Sequence, residues 1–258
     1  MAEQTPGQNP HLISDLVPGV IAALANKTDI TPQNAAIWIK KTLLNLTASY
    51  KFEELRVQGP MVTVGPGMGY QGSNFQYLIS QFLNAGDDYT LQESPVIFLT
   101  PTQAATAGLV NAGTTSGAVV GYPLPYMTPT AIQTLLFIPG GIPSRYTRYG
   151  NQFWIGTQPG MPYQMYLPYQ RSHPFNDSNL LQSPLYIPTR WEDLIEYSAA
   201  LRGANENRWP DQVKNLREII YGDPKGEGEP GLLKAMVSQI TMDQDKSTRQ
   251  VIPTVSRY

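Results

Sequence analysis

Residues 59–185 hold only seven charged side chains, Asp87, Asp88, Glu93, Arg145, Arg148, Arg171 and Asp177. Ten others lie before residue 59 and 21 after residue 185. The 15% charged fraction of the whole chain is well below the ~25% of an ordinary soluble domain. It averages two ends of normal polarity and a depleted middle. The same middle holds 10 of the 15 tyrosines. Low charge with enriched Tyr, Trp and Met is the composition of the covered centre of a protein–protein contact. A tyrosine-rich face for stacking sugars or bases is the alternative. Base stacking comes with a basic groove, and this middle offers only Arg145, Arg148 and Arg171 as cations.

At 258 residues and 41% hydrophobic content, the chain is long enough for one or two domains with a core that needs no staples. It contains no cysteine, which excludes disulfides, thiolate metal sites and Cys nucleophiles. His11 and His173 are its two histidines, so a zinc cage would have to draw on carboxylates. No cofactor is expected. A formal net charge of -2 lacks the basic excess that holds a phosphate backbone by counterion release. No apolar run approaches the ~20 residues that span a bilayer, and residues 1–10 show no basic-then-apolar leader. Neither a membrane partner nor export is expected.

Helical spacing dominates both ends. Ile13, Leu16, Val17, Val20, Ile21 and Leu24 form one apolar stripe, with Ser14 as the expected cap and Pro18 near the first turn. Thr31-Pro32 reads as an N-cap followed by proline, opening a helix with Ile39, Leu43, Leu46 and Tyr50 on one face. A third helix is predicted from Ser73, since Phe75, Leu78, Ile79, Phe82 and Leu83 fall at helical intervals before a stop at Gly86. From 89 to 185 the pattern changes to short β-type runs. These are 96–99, 135–138, 153–155 and 163–169, with Gly150-Asn151 as a hairpin turn and Pro168 marking an edge or bulge. After Pro188 helices return. A capping box is read at Thr189 to Glu192, with Gly203 as the stop, and Pro210 and Pro230 open two more. Residues 246–258 read as an extended tail. The expected class is α+β. The helical body is built from both termini (1–88 and 186–245), with an antiparallel β-rich insertion at 89–185 and the tail at 246–258.

Three motifs invite a chemical reading. Gly67-x-Gly69-x-x-Gly72 follows a short strand at 61–64 and precedes a predicted helix, as a dinucleotide fingerprint does, with Asp87 and Asp88 near the distance of the ribose-binding acid. No further β-α-β alternation follows, and the commoner meaning of such glycines is a loop. His173, with Asp177 and either Ser172 or Ser178, contains the residue types of a triad, but packed into one loop, where triads draw on separate elements. The pairs Glu53-Glu54, Asp87-Asp88 and Glu192-Asp193 are sequence neighbours whose side chains diverge, so they read as solvated surface.

The order of these segments resembles the head-to-tail adaptor (connector) proteins of tailed bacteriophages. The resemblance is carried by the Leu-rich first helix, the Asn26 to Asp29 turn, the helix through Trp38 that leads to Tyr50-Lys51-Phe52-Glu53-Glu54-Leu55, and the β-rich insert with Gly150-Asn151-Gln152-Phe153-Trp154-Ile155. It ends on Ile187-Pro188-Thr189-Arg190-Trp191-Glu192-Asp193-Leu194-Ile195-Glu196-Tyr197, a proline–tryptophan–acidic–leucine helix directly after the sheet. Nothing in 100–130 takes part. The resemblance implies a structural virion protein without enzymatic activity. Its expected place is the virion neck, after assembly in the host cytoplasm. There it forms a cyclic homo-oligomer, commonly of twelve subunits. It sits beneath the portal protein and meets a downstream tail or nozzle protein. Double-stranded DNA passes through as cargo without sequence-specific binding. Portal docking is implied for the tail, here Arg249, Val251, Ile252, Val255, Arg257 and Tyr258. Trp38, Leu43, Trp191, Leu194 and Ile195 are expected to pack the helical body. The competing classes are a nucleotide-binding enzyme using the Gly67 to Gly72 loop and a carbohydrate-binding tail module built on the tyrosine-rich sheet.

Overall fold

The computed structural model describes residues 11–25, 29–106, 108, 120–222 and 230–249. These form seven α-helices and ten short strands in three antiparallel sheets, a mixed α+β chain. Helices α1 (Ile13–Ala23) and α2 (Pro32–Ser49) come first, and α3 (Pro101–Thr106) and α4 (Pro129–Leu136) are short. The C-terminal part holds α5 (Glu192–Glu206), α6 (Pro210–Tyr221) and α7 (Leu232–Arg249). The strands are β1 (Arg56–Gln58), β2 (Val62–Val64), β3 (Gln76–Leu78), β4 (Tyr89–Gln92), β5 (Val96–Leu99), β6 (Val120–Pro123), β7 (Arg145–Tyr149), β8 (Gln152–Gly156), β9 (Tyr163–Tyr166) and β10 (Pro168–Arg171). Two compact units result, Met1–Leu55 with Ser172–Tyr258, and Arg56–Arg171. The expected boundaries at 88/89 and 185/186 therefore move to 55/56 and 171/172. The cause is pairing between distant strands, since β1, β2 and β3 pair with β10, β9 and β8.

In the helical unit, Thr31 caps α2 by accepting from the Asn34 N–H (3.2 Å), with Pro32 at the first helical position. Proline there has no N–H to leave unsatisfied. Capping of α1 differs from the expectation. Leu12 is the N-cap, and Asp15, not Ser14, accepts the Leu12 N–H at 2.8 Å. Pro18 lies beyond the first turn, inside α1. Trp38, Leu43, Leu194 and Ile195 are buried in the unit's core, and Trp191 packs against it half-buried. Gly203 is not a stop. It lies inside α5, and a Cβ there would come within 2.6 Å of the Trp38 ring, so the missing side chain lets α2 and α5 approach. Helix α5 ends three residues later, and the turn into α6 places Arg208 at φ +59°. The expected capping box at Thr189 is replaced by a 3-10 turn over Thr189–Trp191, with no side-chain cap on α5. Residues 246–249, expected to be extended, continue α7 as helix.

The second unit is built of sheets ordered β1-β10-β4, β2-β9-β5-β6 and β3-β8-β7. The helix expected from Ser73 is not formed. Gln76–Leu78 is a strand, Ile79–Phe82 a 3-10 turn, and the buried side chains are Tyr77, Ile79 and Phe82. The run 135–138, expected as strand, ends α4. Thr128 caps that helix, Pro129 opens it, and Ile132 and Leu136 face inward one turn apart. The run 163–169 divides into β9 and β10, which enter different sheets. Pro168 lies in a central strand, tolerated as its first residue, with the register shift at Gln170/Arg171. Gly150-Asn151 closes the β7–β8 hairpin, with Gly150 at φ +60° as a turn with glycine at its first central position requires.

Candidate functional site

Of the tail, Arg249 is the last residue of α7, while Val251, Ile252, Val255, Arg257 and Tyr258 lie outside the described residues. The glycine fingerprint lacks its helix. Gly67 and Gly72 take φ of +72° and +76°, and the Gly67 N–H donates to Asn74 Oδ1 (2.8 Å). The Gly69 N–H donates to the Ser73 carbonyl (2.8 Å), and the chain then enters β3. Only a three-residue 3-10 turn, Tyr70–Gly72, follows in place of an α-helix, so these N–H groups do not form the phosphate cradle of a dinucleotide site.

The loop triad is not assembled either. His173 is buried between Phe175 and Tyr186, and its Nε2 accepts the Tyr186 backbone N–H at 3.2 Å. Asp177 turns outward to Lys40 (2.7 Å), and the Ser178 N–H donates to Asn176 Oδ1. Asp87 and Asp88 have separate uses, and Glu192 has its own. Asp87 accepts the Tyr169 hydroxyl (2.7 Å), Asp88 accepts the Tyr89 N–H (2.9 Å), and Glu192 pairs with His11 (2.9 Å).

What the sheet-bearing unit offers is a long stretch of sequence without charge. From Glu93 to Arg145 there is no charged residue in the sequence. Inside, tyrosines satisfy the backbone. The buried Tyr77 hydroxyl both accepts the Gly65 N–H and donates to the Gly65 carbonyl, each at 3.0 Å. Burial pushes the Tyr77 phenol up to about 12. The Tyr169 hydroxyl, accepting the Asn84 N–H and donating to Asp87, is raised to about 12 by burial and by that carboxylate. Outside, Phe137 is 80% exposed at the end of α4, next to the exposed Ile138. Tyr126, Tyr149, Met61, Met68 and Met161 are exposed as well. Tyr149 stacks on Trp154 with ring centroids 4.6 Å apart, and Trp154 Nε1 donates to Gln152 (3.1 Å). Of the ten tyrosines that the composition suggests as a binding face, Tyr77, Tyr146, Tyr163 and Tyr169 are core and only Tyr70, Tyr126 and Tyr149 are exposed, so the exposed apolar set is shared with Phe137, Ile138 and the methionines. Phe137 was hidden because an apolar run of four does not show which member lies beyond the last helical turn.

In the helical unit, Glu206 at the end of α5 accepts Trp38 Nε1 at 2.7 Å and Lys41 Nζ at 2.9 Å. These two donors, Lys41 first, hold its carboxyl below the usual range. The pair borders a cleft of about 340 Å3 lined by Asp29, Ile37, Trp38, Asn207 and Trp209. Glu196 is the opposite case. Its carboxylate abuts the Cα of Gly19 on α1, and burial, with the charges of Asp193 and Glu192, pushes it up to about 7. Trp209 was legible only as the residue before a helix-opening proline. Among the described residues no helix is long and apolar enough to cross a membrane. No family model matches the chain, and no curated protein matches it.

Proposed function

We propose that this chain is a structural virion protein, the head-to-tail adaptor of a tailed bacteriophage. It forms a cyclic ring, commonly of twelve copies, that joins the portal to the tail and surrounds the passing DNA without chemistry of its own. The observation that carries the reading is the sheet-bearing unit. It has a stretch of sequence with no charge from Glu93 to Arg145, and Phe137 and Ile138 stand exposed within it. Isolated exposed apolar residues are common, but an extended surface without charges to keep it in water is the composition of one that is covered on assembly. In this reading the insertion supplies contacts to neighbouring subunits or to the next tail component. The helical body carries the C-terminal segment, with Arg249, Val251, Ile252, Val255, Arg257 and Tyr258, that docks on the portal. A net charge of -2 suits a channel through which DNA slides without sticking.

The test is a truncation after Arg249, which keeps α7 whole. The shortened protein is expected to fold, with unchanged circular dichroism, and to lose binding to the portal protein of the same virus in a pull-down. Undiminished portal binding counts against the docking role. Saturable micromolar binding of a dinucleotide or nucleoside triphosphate in calorimetry overturns the non-enzymatic reading altogether.

A further inference from the structure

We propose that the outer face of α6 is a docking groove for an acidic peptide segment of a partner protein. The segment inserts apolar side chains against Trp209 and Val213, while its carboxylates meet Arg208, Lys214 and Arg217. An open groove of about 920 Å3 runs along the helix. Trp209 and Val213 lie one turn apart, and Tyr221, two turns further on, lines the same groove. Trp209 and Val213 are half-buried and anchored on the helical core, which makes the floor rigid, and Tyr221 is exposed. A different stripe, the buried Leu216 and Ile220, fixes α6 to its unit. Lys214, Arg217 and Tyr221 of the groove face remain exposed.

Charge complementarity selects the occupant. Arg208, Lys214 and Arg217 line the groove against one acid, Glu218. None of those three cations is in an ion pair among the described residues, whereas Lys40 and Lys41 of the same unit are matched by Asp177 and Glu206. Arg208 is held in place by the turn that ends α5. It holds a left-handed φ of +59°, unusual for a residue with a Cβ, in a turn fixed by the Trp209 N–H donating to the Ala204 carbonyl at 2.9 Å. Trp, Tyr and Arg around an apolar floor are the residue types that dominate binding energy at protein interfaces. A phosphate backbone needs a track of cations and gains nothing from a Val and Trp floor between them, so a peptide with both carboxylates and apolar anchors fits better. The inference stands on this groove alone and does not rest on the adaptor reading.

The test selects a random dodecapeptide library on the immobilised full chain. Affinities of the enriched peptides are then measured for the wild type, K214E/R217E, Tyr221→Ser and a control, Lys234→Glu on the exposed face of α7. All the substituted positions are exposed, and far-UV circular dichroism verifies that each variant folds. Enriched peptides should combine Asp or Glu with aliphatic or aromatic residues. They should lose about tenfold or more in affinity on K214E/R217E, lose part of it on Tyr221→Ser, and be unaffected by the control. Peptides without acidic enrichment, or binding undiminished by K214E/R217E, overturn the proposal. So does a duplex DNA oligonucleotide whose binding the double substitution abolishes, which reassigns the face to nucleic acid. A loss of self-association in K214E/R217E reassigns it to a second copy of the chain and overturns the proposal as well.

Discussion

The two units solve the same problem of burying a backbone with opposite chemistry. The helical unit satisfies most of its backbone within its helices and spends charged side chains at their ends and faces: Glu206 on Trp38 and Lys41, Asp177 on Lys40, Glu192 on His11. The sheet-bearing unit has strands of three to five residues, too short to pair every backbone group, and closes the gaps with tyrosine hydroxyls. Tyr77 serves both polar groups of Gly65, Tyr122 donates to the Pro143 carbonyl, and Tyr169 accepts the Asn84 N–H. A phenol supplies the hydrogen bond and a large apolar body together. The difference teaches how a unit can be well satisfied inside while placing few charged side chains on its outer face. Such a face is suited to being covered, and the functional proposal builds on that.

The comparison breaks most sharply at two glycines. At Gly59 a Cβ would run into the Phe82 carbonyl oxygen, a backbone atom that cannot swing away. Gly59→Ala is expected to destabilise the sheet-bearing unit by about 3 kcal/mol or more. In amide hydrogen exchange, protection should fall at Phe153 and Ile155 and persist at Ile39 and Ala199. Equal loss in both units would show that they are not separate in stability. The mirror experiment is Gly203→Ala, which pushes a methyl into the Trp38 ring. It is expected to cost about 2 kcal/mol, with the loss of protection now confined to the helices.

A smaller effect separates the units by pH. Glu196 is raised from 4.5 to about 7 in the folded chain by burial and by Asp193 and Glu192. The folded state therefore holds the proton more tightly than the unfolded one. Its contribution is fully present below pH 4.5 and is lost as pH rises through about 7. With the side chain partly open to solvent, the change is about 1–2 kcal/mol. The unfolding free energy of the helical unit from urea titrations should fall between pH 5 and pH 8 in the wild type by that amount more than in Glu196→Gln. A slope unchanged by the substitution would remove Glu196 as its source. Smallest of all is Phe137→Ser, at an 80% exposed side chain. It is expected to change folding stability by less than about 0.5 kcal/mol while weakening assembly in sedimentation.

Much of this was legible in the letters. Thr31-Pro32 marked α2, Gly150-Asn151 marked the β7–β8 hairpin, and Trp38 and Leu194 announced the helical core, because each signal is local and has one physical meaning. Segments with two meanings misled. Phe75, Leu78, Ile79, Phe82 and Leu83 match a helical period, yet a three-residue strand followed by a 3-10 turn places apolar residues at nearly the same intervals, and the side chain that decides the face, Tyr77, falls between them. Thr128-Pro129 repeats the cap of α2, but the apolar run 135–138 after it fits a strand equally well. The unit boundary at 55/56 was invisible, since pairing of β1 with β10 joins residues more than a hundred positions apart. For the candidate surface, the charge gap was legible and Phe137 was not.

The most direct test of the central claim is negative-stain imaging of the purified chain, alone and mixed with the portal protein of the same virus. The account predicts closed rings seated coaxially on the portal, lost in Phe137→Ser or in the truncation after Arg249. Isolated particles of one chain, unchanged by the presence of the portal, would contradict it.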